Sequence, residues 1–179
     1  MALNTHSQAR FTALQVMQDA SVIPVIVLND VAHAVPMARA LVAGGIRMLE
    51  VTLRTPQALA CMEAIAKAVP DAVVGAGTVR NAADAKAAAN AGAKFAVSPG
   101  YTSAVGQACR DQGLSLLPGV ATGSEIMMAQ EDGYTDLKFF PAMQADPAEH
   151  SIPASSNNWI RSTASQPSKA RWLVFGRRC

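Results

Sequence analysis

The chain has 179 residues, half of them apolar and only 16% charged, with a formal net charge of +2. Typical soluble domains carry roughly a quarter charged residues, so this composition describes one core-rich domain and not a disordered chain. The small net charge argues against nucleic acid or an anionic membrane as the partner, and the apolar run at 22–28, seven residues long, falls far short of the about 20 that span a bilayer.

Residues 6–19 read as a short amphipathic helix, with Phe11, Leu14, Val16 and Met17 apolar among polar neighbours. Arg10 is followed by no continuous apolar stretch, so no signal peptide is read and a cytoplasmic location is expected. A rhythm then begins. Apolar runs start near Val22, Ile46, Ala72, Lys94, Ser115 and Asp136, at intervals of 24, 26, 22, 21 and 21 residues. Between them lie segments rich in Ala, Met and Leu that read as helices: 31–43, 57–68, 81–91, 102–112 and 122–132. Gly44, Gly92, Gly113 and Gly133 stand where C-cap glycines belong. Pro56 fits a first helical turn, and Asn81 and Thr122 fit N-caps.

Strands alternating with helices of this length indicate βαβ units and a parallel sheet, hence the α/β class. An open doubly wound sheet and a closed eight-stranded (β/α)8 barrel compete for the pattern. The open sheet usually carries G-x-G-x-x-G after its first strand. Here Asn29-Asp30 follows the first strand, and the near match Gly75-Ala76-Gly77-Thr78-Val79-Arg80 follows the third and lacks the third glycine. A dinucleotide site is therefore rejected.

Six βα units are recognisable before the character changes. From Asp146 onward there are six serines, both tryptophans, five Lys or Arg and one glycine in 34 residues. The only stretch there with a trace of strand character is 172–175. We divide the chain into a barrel domain with an N-terminal helix, 1–144, and an atypical tail, 145–179, standing where the last two βα units are expected.

In a barrel, active groups gather at the C-terminal ends of the strands, on residues that alternate inward. On the second strand Leu49, Val51 and Leu53 share one face, turned to the helices, while Met48, Glu50, Thr52 and Arg54 share the other. A carboxylate and a guanidinium thus project towards the barrel mouth, as a catalytic pair or as an ion pair at a sheet end. The sixth strand, Asp136-Leu137-Lys138-Phe139-Phe140-Pro141, puts Lys138 and Phe140 opposite Leu137 and Phe139. Desolvation penalises the ammonium form of such a lysine and lowers its pKa. The neutral amine is then a nucleophile towards a ketone; the competing reading is a lysine that snorkels from a strand end. Gly75-Ala76-Gly77-Thr78, Ser98-Pro99-Gly100 and Pro118-Gly119 read as turns that bring backbone to the mouth.

Cys61, Cys109 and Cys179 are odd in number and far apart, without metal-ligand spacing or a disulfide framework. His6, His33 and His150 make no H-E-x-x-H or related cluster, so no metal site is read.

Taken in order, Pro24-Val-Ile-Val, Val42-Ala-Gly-Gly-Ile-Arg-Met-Leu-Glu50-Val-Thr-Leu-Arg54-Thr, Val74-Gly-Ala-Gly-Thr78-Val, Phe95-Ala-Val-Ser-Pro99-Gly, Leu117-Pro-Gly-Val and Leu137-Lys138-Phe-Phe140-Pro-Ala closely resemble the bacterial 2-keto-3-deoxy-6-phosphogluconate (KDPG) and 4-hydroxy-2-oxoglutarate (KHG) aldolases over about residues 10–143. The resemblance implies a class I carbon–carbon lyase of the Entner-Doudoroff pathway. Lys138 would form a Schiff base with the C2 ketone, and Glu50 would move protons through water. Arg54 and Thr78 would hold the pyruvyl carboxylate, and Pro99 and Phe140 would wall the pocket. No metal or organic cofactor is implied. The partners implied are a small 2-keto acid and, as a homotrimer, copies of the chain itself.

The family pattern continues into two further βα units with Gly-rich, phosphate-binding loops, and the sequence after Met143 departs from it. Backbone amides at such loops bind phosphate in these barrels. A truncated, non-catalytic barrel fragment with unpaired sheet edges and poor solubility is therefore the competing expectation. A different phosphosugar barrel enzyme is disfavoured by Glu50, Arg54 and Lys138 together.

Overall fold

The computed structural model describes residues 12–20, 22–141, 159–160 and 171–174. Helix α1 (Ala13–Gln18) leads into β1 (Val25–Ile26), α2 (Val31–Ala43), β2 (Met48–Thr52), α3 (Ala58–Ala68), β3 (Val73–Gly77), α4 (Ala82–Asn90), β4 (Phe95–Val97) and α5 (Ser103–Asp111). There follow β5 (Ser115–Leu117), β6 (Gly119–Val120), α6 (Gly123–Glu131), β7 (Asp136–Phe139), β8 (Trp159–Ile160) and β9 (Arg171–Val174). The five helices expected after the first strand all form, within one residue at each end. Of the expected N-terminal helix, residues 6–11 lie outside the described residues. The helix starts at Ala13 because Thr12 and Gln15 close a capping box that the sequence reading did not pick out.

Strands β1 to β5 form one parallel sheet in chain order, and β6-β7-β9-β8 form a second. The two meet at Pro118. The fifth apolar run was expected as one strand ending in a Pro118-Gly119 turn; Gly119 instead opens β6, and the break falls at Pro118 because a proline has no N–H to give to the ladder. The wall continues across it nevertheless: the Ser98 amide donates to Leu117 O (3.3 Å), and the Lys138 amide donates to Pro118 O (2.9 Å). In the tail, β9 runs parallel to β7 with Leu173 in register with Lys138, and β8 is antiparallel to β9. The remaining tail residues lie outside the described set.

Alternation along the strands builds two cores. Leu49, Val51, Val74, Ala76, Ala96, Leu116 and Leu137 pack outward against the helices. Met48, Val73, Phe95, Val97 and Leu117 point inward and meet Val16 and Met17 of α1. Helix α1 therefore plugs the N-terminal end of the strands, and the opposite end stays available for chemistry. All five residues of β2 and of β3 are buried, as a parallel sheet covered on both faces requires.

Asn81 and Thr122 are N-caps, accepting from the amides of Asp84 and Glu125. Gly44 is the C-cap of α2, with φ −81°, and the following Gly45, at φ +84°, takes the left-handed conformation that glycine adopts without steric cost. One expectation needs correction: Pro56 lies in the turn before α3, whose N-cap is Gln57, while Pro36 sits inside α2.

Candidate active site

Two strands far apart in sequence bring the buried charges together. Glu50, third residue of β2, is 1% exposed, and Lys138, third residue of β7, is 6% exposed. Lys138 Nζ lies 4.0 Å from Glu50 Oε1 and 4.8 Å from the centroid of the Phe140 ring. Among the described residues, Glu50 Oε2 is buried with no hydrogen-bond partner. Burial holds the Lys138 amine below the ordinary lysine range, with the Glu50 charge opposing the shift and the Arg54 charge adding to it. Burial likewise raises the Glu50 carboxyl, against the attraction of Lys138 and Arg54. An amine and a carboxyl pushed towards each other's protonation range are suited to nucleophilic attack and proton transfer near neutral pH.

The remaining expected site residues ring the same strand ends. Arg54, just past β2, is exposed and donates from Nε to Thr78 Oγ1 (3.2 Å). Thr78, just past β3, has φ +63°. A threonine in that region is strained, of the order of 1–3 kcal/mol, and such strain tends to be kept where side-chain placement matters. Pro99 is half-buried at the end of β4. It lies against Gly119, where a Cβ would overlap the backbone of Ser98 and Pro99, and Gly119 is in register with Lys138. Phe140 is half-buried beside the lysine. Exposure therefore falls from Arg54, at the C-terminal ends of the strands, to Lys138 within them.

Further residues take part that the sequence does not single out. The sequence reads Gly75 and Gly77 as a turn, but both lie inside β3. A Cβ at Gly75 would overlap the Phe95 ring, and one at Gly77 would overlap the Glu50 side chain. Thr52, placed on the inner face without a role, donates its hydroxyl to Ile26 O (3.0 Å) and ties β2 to β1. Ser98, 1% exposed, accepts from the Gly119 amide (3.4 Å). The available signal was the period-two spacing of the glycines, which places them on the inner face next to Glu50.

Among the described residues no group of three or more His, Cys, Asp or Glu is placed to hold a metal. Cys61 and Cys109 are buried free thiols, and burial pushes Cys109 up to about 11; Cys179 lies outside the described residues.

The profile of the KDPG and KHG aldolase family matches residues 14–149. A 2-dehydro-3-deoxy-phosphogluconate aldolase of Pseudoalteromonas atlantica is 51% identical over 133 residues, covering 74% of this chain and 62% of that protein. The KHG/KDPG aldolase of Escherichia coli is 49% identical over 131 residues, covering 73% and 62%. The chain thus spans about 62% of the length of these relatives. The crystal structure of the Zymomonas mobilis 2-keto-3-deoxy-6-phosphogluconate aldolase with 3-phosphoglycerate superposes with a TM-score of 0.73 at 47% identity, covering 80% of this chain and 69% of that one. A KDPG aldolase from Legionella pneumophila, with pyruvate captured as a covalent carbinolamine, gives 0.71 at 44%, covering 74% and 64%. With a fold of the (β/α)8 barrel type and these likenesses in both sequence and structure, the chain belongs to the KDPG and KHG aldolase family.

Proposed function

We propose that this chain is a class I aldolase that cleaves a 2-keto acid to pyruvate and an aldehyde through a Schiff base on Lys138. The observation that carries the reading is the buried Lys138 amine facing the buried Glu50 carboxylate at 4.0 Å. Neutral Nζ adds to the C2 ketone to give a carbinolamine, which loses water as the protonated imine forms. The imine draws the C3–C4 bonding electrons as that bond breaks. Glu50, through water, takes the proton of the C4 hydroxyl, and the aldehyde departs. The enamine left on Lys138 regains a proton at C3, and hydrolysis returns pyruvate and the free amine. The substrates proposed are 2-keto-3-deoxy-6-phosphogluconate, giving D-glyceraldehyde 3-phosphate, and 4-hydroxy-2-oxoglutarate, giving glyoxylate. The pyruvate carbinolamine named for the Legionella pneumophila protein supports the covalent step. The test is borohydride reduction with pyruvate, which should add one pyruvyl group, at Lys138.

The pH dependence has a defined sign. Only the neutral amine attacks, so trapping rises with pH, and burial moves the midpoint below the ordinary 10.5 of lysine. Initial trapping rates measured across pH should give such a midpoint. A midpoint at or above the ordinary value contradicts the buried-amine reading.

Arg54 and Thr78 are proposed to hold the pyruvyl carboxylate, and Pro99 and Phe140 to wall the pocket. A hydrogen bond to a charged group contributes about 1.5–3 kcal/mol, so Arg54→Met should weaken pyruvate half-saturation of trapping roughly 10–100-fold with little change in the saturating rate. Saturation curves for the two proteins decide it, and unchanged half-saturation removes Arg54 from the site.

Among the described residues no helix is long and apolar enough to cross a membrane; a cytoplasmic location is proposed from the family resemblance. A homotrimer is proposed from the family resemblance and is checked by sedimentation. We also assign 145–179 to an atypical tail that replaces the last two βα units, a division supported by a family match that ends at residue 149 and by the change in composition. Efficient turnover of the phosphorylated substrate that disappears when 145–179 are deleted would instead make the tail part of the site.

A further inference from the structure

Gly77 has no conformational reason to be glycine. It lies inside β3, paired with Thr52 of β2 and Val97 of β4, and its φ is not positive. Glycine within a strand weakens it, and its presence often marks a close approach by another group. That group is Glu50. A Cβ on Gly77 would overlap Oε1, Cγ and Cδ of Glu50, and Oε1 is the oxygen that faces Lys138 Nζ at 4.0 Å. The neighbouring inner position, Gly75, is filled by the Phe95 ring in the same way. The carboxylate therefore has Phe95's layer below it and the space above Gly77 beside it.

We propose that Gly77 is a positioning residue: its missing side chain is the recess that seats the Glu50 carboxylate within reach of Lys138. The inference rests on the aldolase reading for its catalytic consequence, while the packing relation between Gly77 and Glu50 stands by itself.

The experiment is a double-mutant cycle on the full chain with Gly77→Ala, Glu50→Ala and both together. The first readout is Tm. The second is exchange of the pyruvate methyl into deuterium, in which the Lys138 imine loses a C3 proton to Glu50 through water and the enamine takes a deuteron back at C3. Gly77→Ala should lower Tm and should slow exchange by about the 10²–10⁴-fold typical of a lost acid–base group. Borohydride should still trap pyruvate on Lys138, with the midpoint of its pH profile moved down because the carboxylate has been displaced from the amine. In the Glu50→Ala background the same substitution should cost no Tm and no trapping.

An equal loss of Tm in both backgrounds overturns the proposal, as does exchange at the wild-type rate with an unmoved midpoint. Should Gly77→Ala not fold, recovery of folding in the double variant supports the recess and failure of both overturns it. Absence of trapping in the unsubstituted chain would refute the aldolase reading instead, and the Tm cycle would still decide whether Gly77 seats Glu50.

Discussion

Replacing Lys138 by arginine is expected to abolish covalent capture of pyruvate and all aldol cleavage, leaving the barrel folded. Guanidinium is never deprotonated in a protein and offers no lone pair for attack on a ketone. Among the described residues no other lysine shares the arrangement: Lys86 is exposed. Lys67 is exposed and paired with Glu63 four residues away on the surface of α3, and Lys94 is exposed at the start of β4. Burial lowers the proton affinity of the Lys138 amine. The check is peptide mapping after borohydride reduction with pyruvate, on the original chain and on Lys138→Arg. A reduced pyruvyl adduct on any lysine of the variant, at the original yield, would end the mechanism.

The second large effect is expected from Glu50→Gln. The substitution keeps the shape and removes the charge, so pyruvate should still bind while turnover falls by about 10²–10⁴-fold, the usual contribution of a general acid–base group. Burial raises the Glu50 carboxyl, so it exchanges protons nearer neutrality than an ordinary glutamate does. Oε2, with no hydrogen-bond partner among the described residues, is the oxygen available to a water that carries the proton. A near-normal kcat in the Gln variant would reduce Glu50 to a structural counter-ion for Lys138. A fall in pyruvate affinity matching the fall in kcat would assign it to binding.

How much of this was legible beforehand depends on the range over which each cause acts. Lys138 stands out locally: one ammonium in an apolar strand is expensive enough to demand a reason. Glu50 is turned inward by a period of two within β2, and Arg54 continues that spacing two residues past the strand's end. The helices were legible because Ala-rich runs, caps and C-terminal glycines act within a few residues. Gly77 was not, because a glycine before Thr78 looks the same whether it turns the chain or admits a neighbour's side chain. The period-two spacing with Gly75 puts both glycines on one face, and the register of β2 against β3, residues 25 apart in the chain, is what brings Glu50 to that face. Pro118 is a similar case, since its effect shows only once both flanking strands have partners. Thr78, Pro99 and Phe140 acquired roles through family resemblance alone; the structure places them at the same strand ends.

The plug formed by α1 has a kinetic consequence. With Val16 and Met17 packed into the N-terminal end of the strands, Lys138 is reached, among the described residues, from the opposite end, where Arg54 stands. In the proposed cleavage the pyruvyl fragment stays covalently tethered to Lys138 while the aldehyde is free to leave. Departure would then follow a queue, with the aldehyde first and pyruvate last. In the proposed synthetic direction the order would reverse: pyruvate would load before the acceptor, and an aldehyde bound beside the free amine would block it. Excess aldehyde should therefore inhibit synthesis competitively against pyruvate.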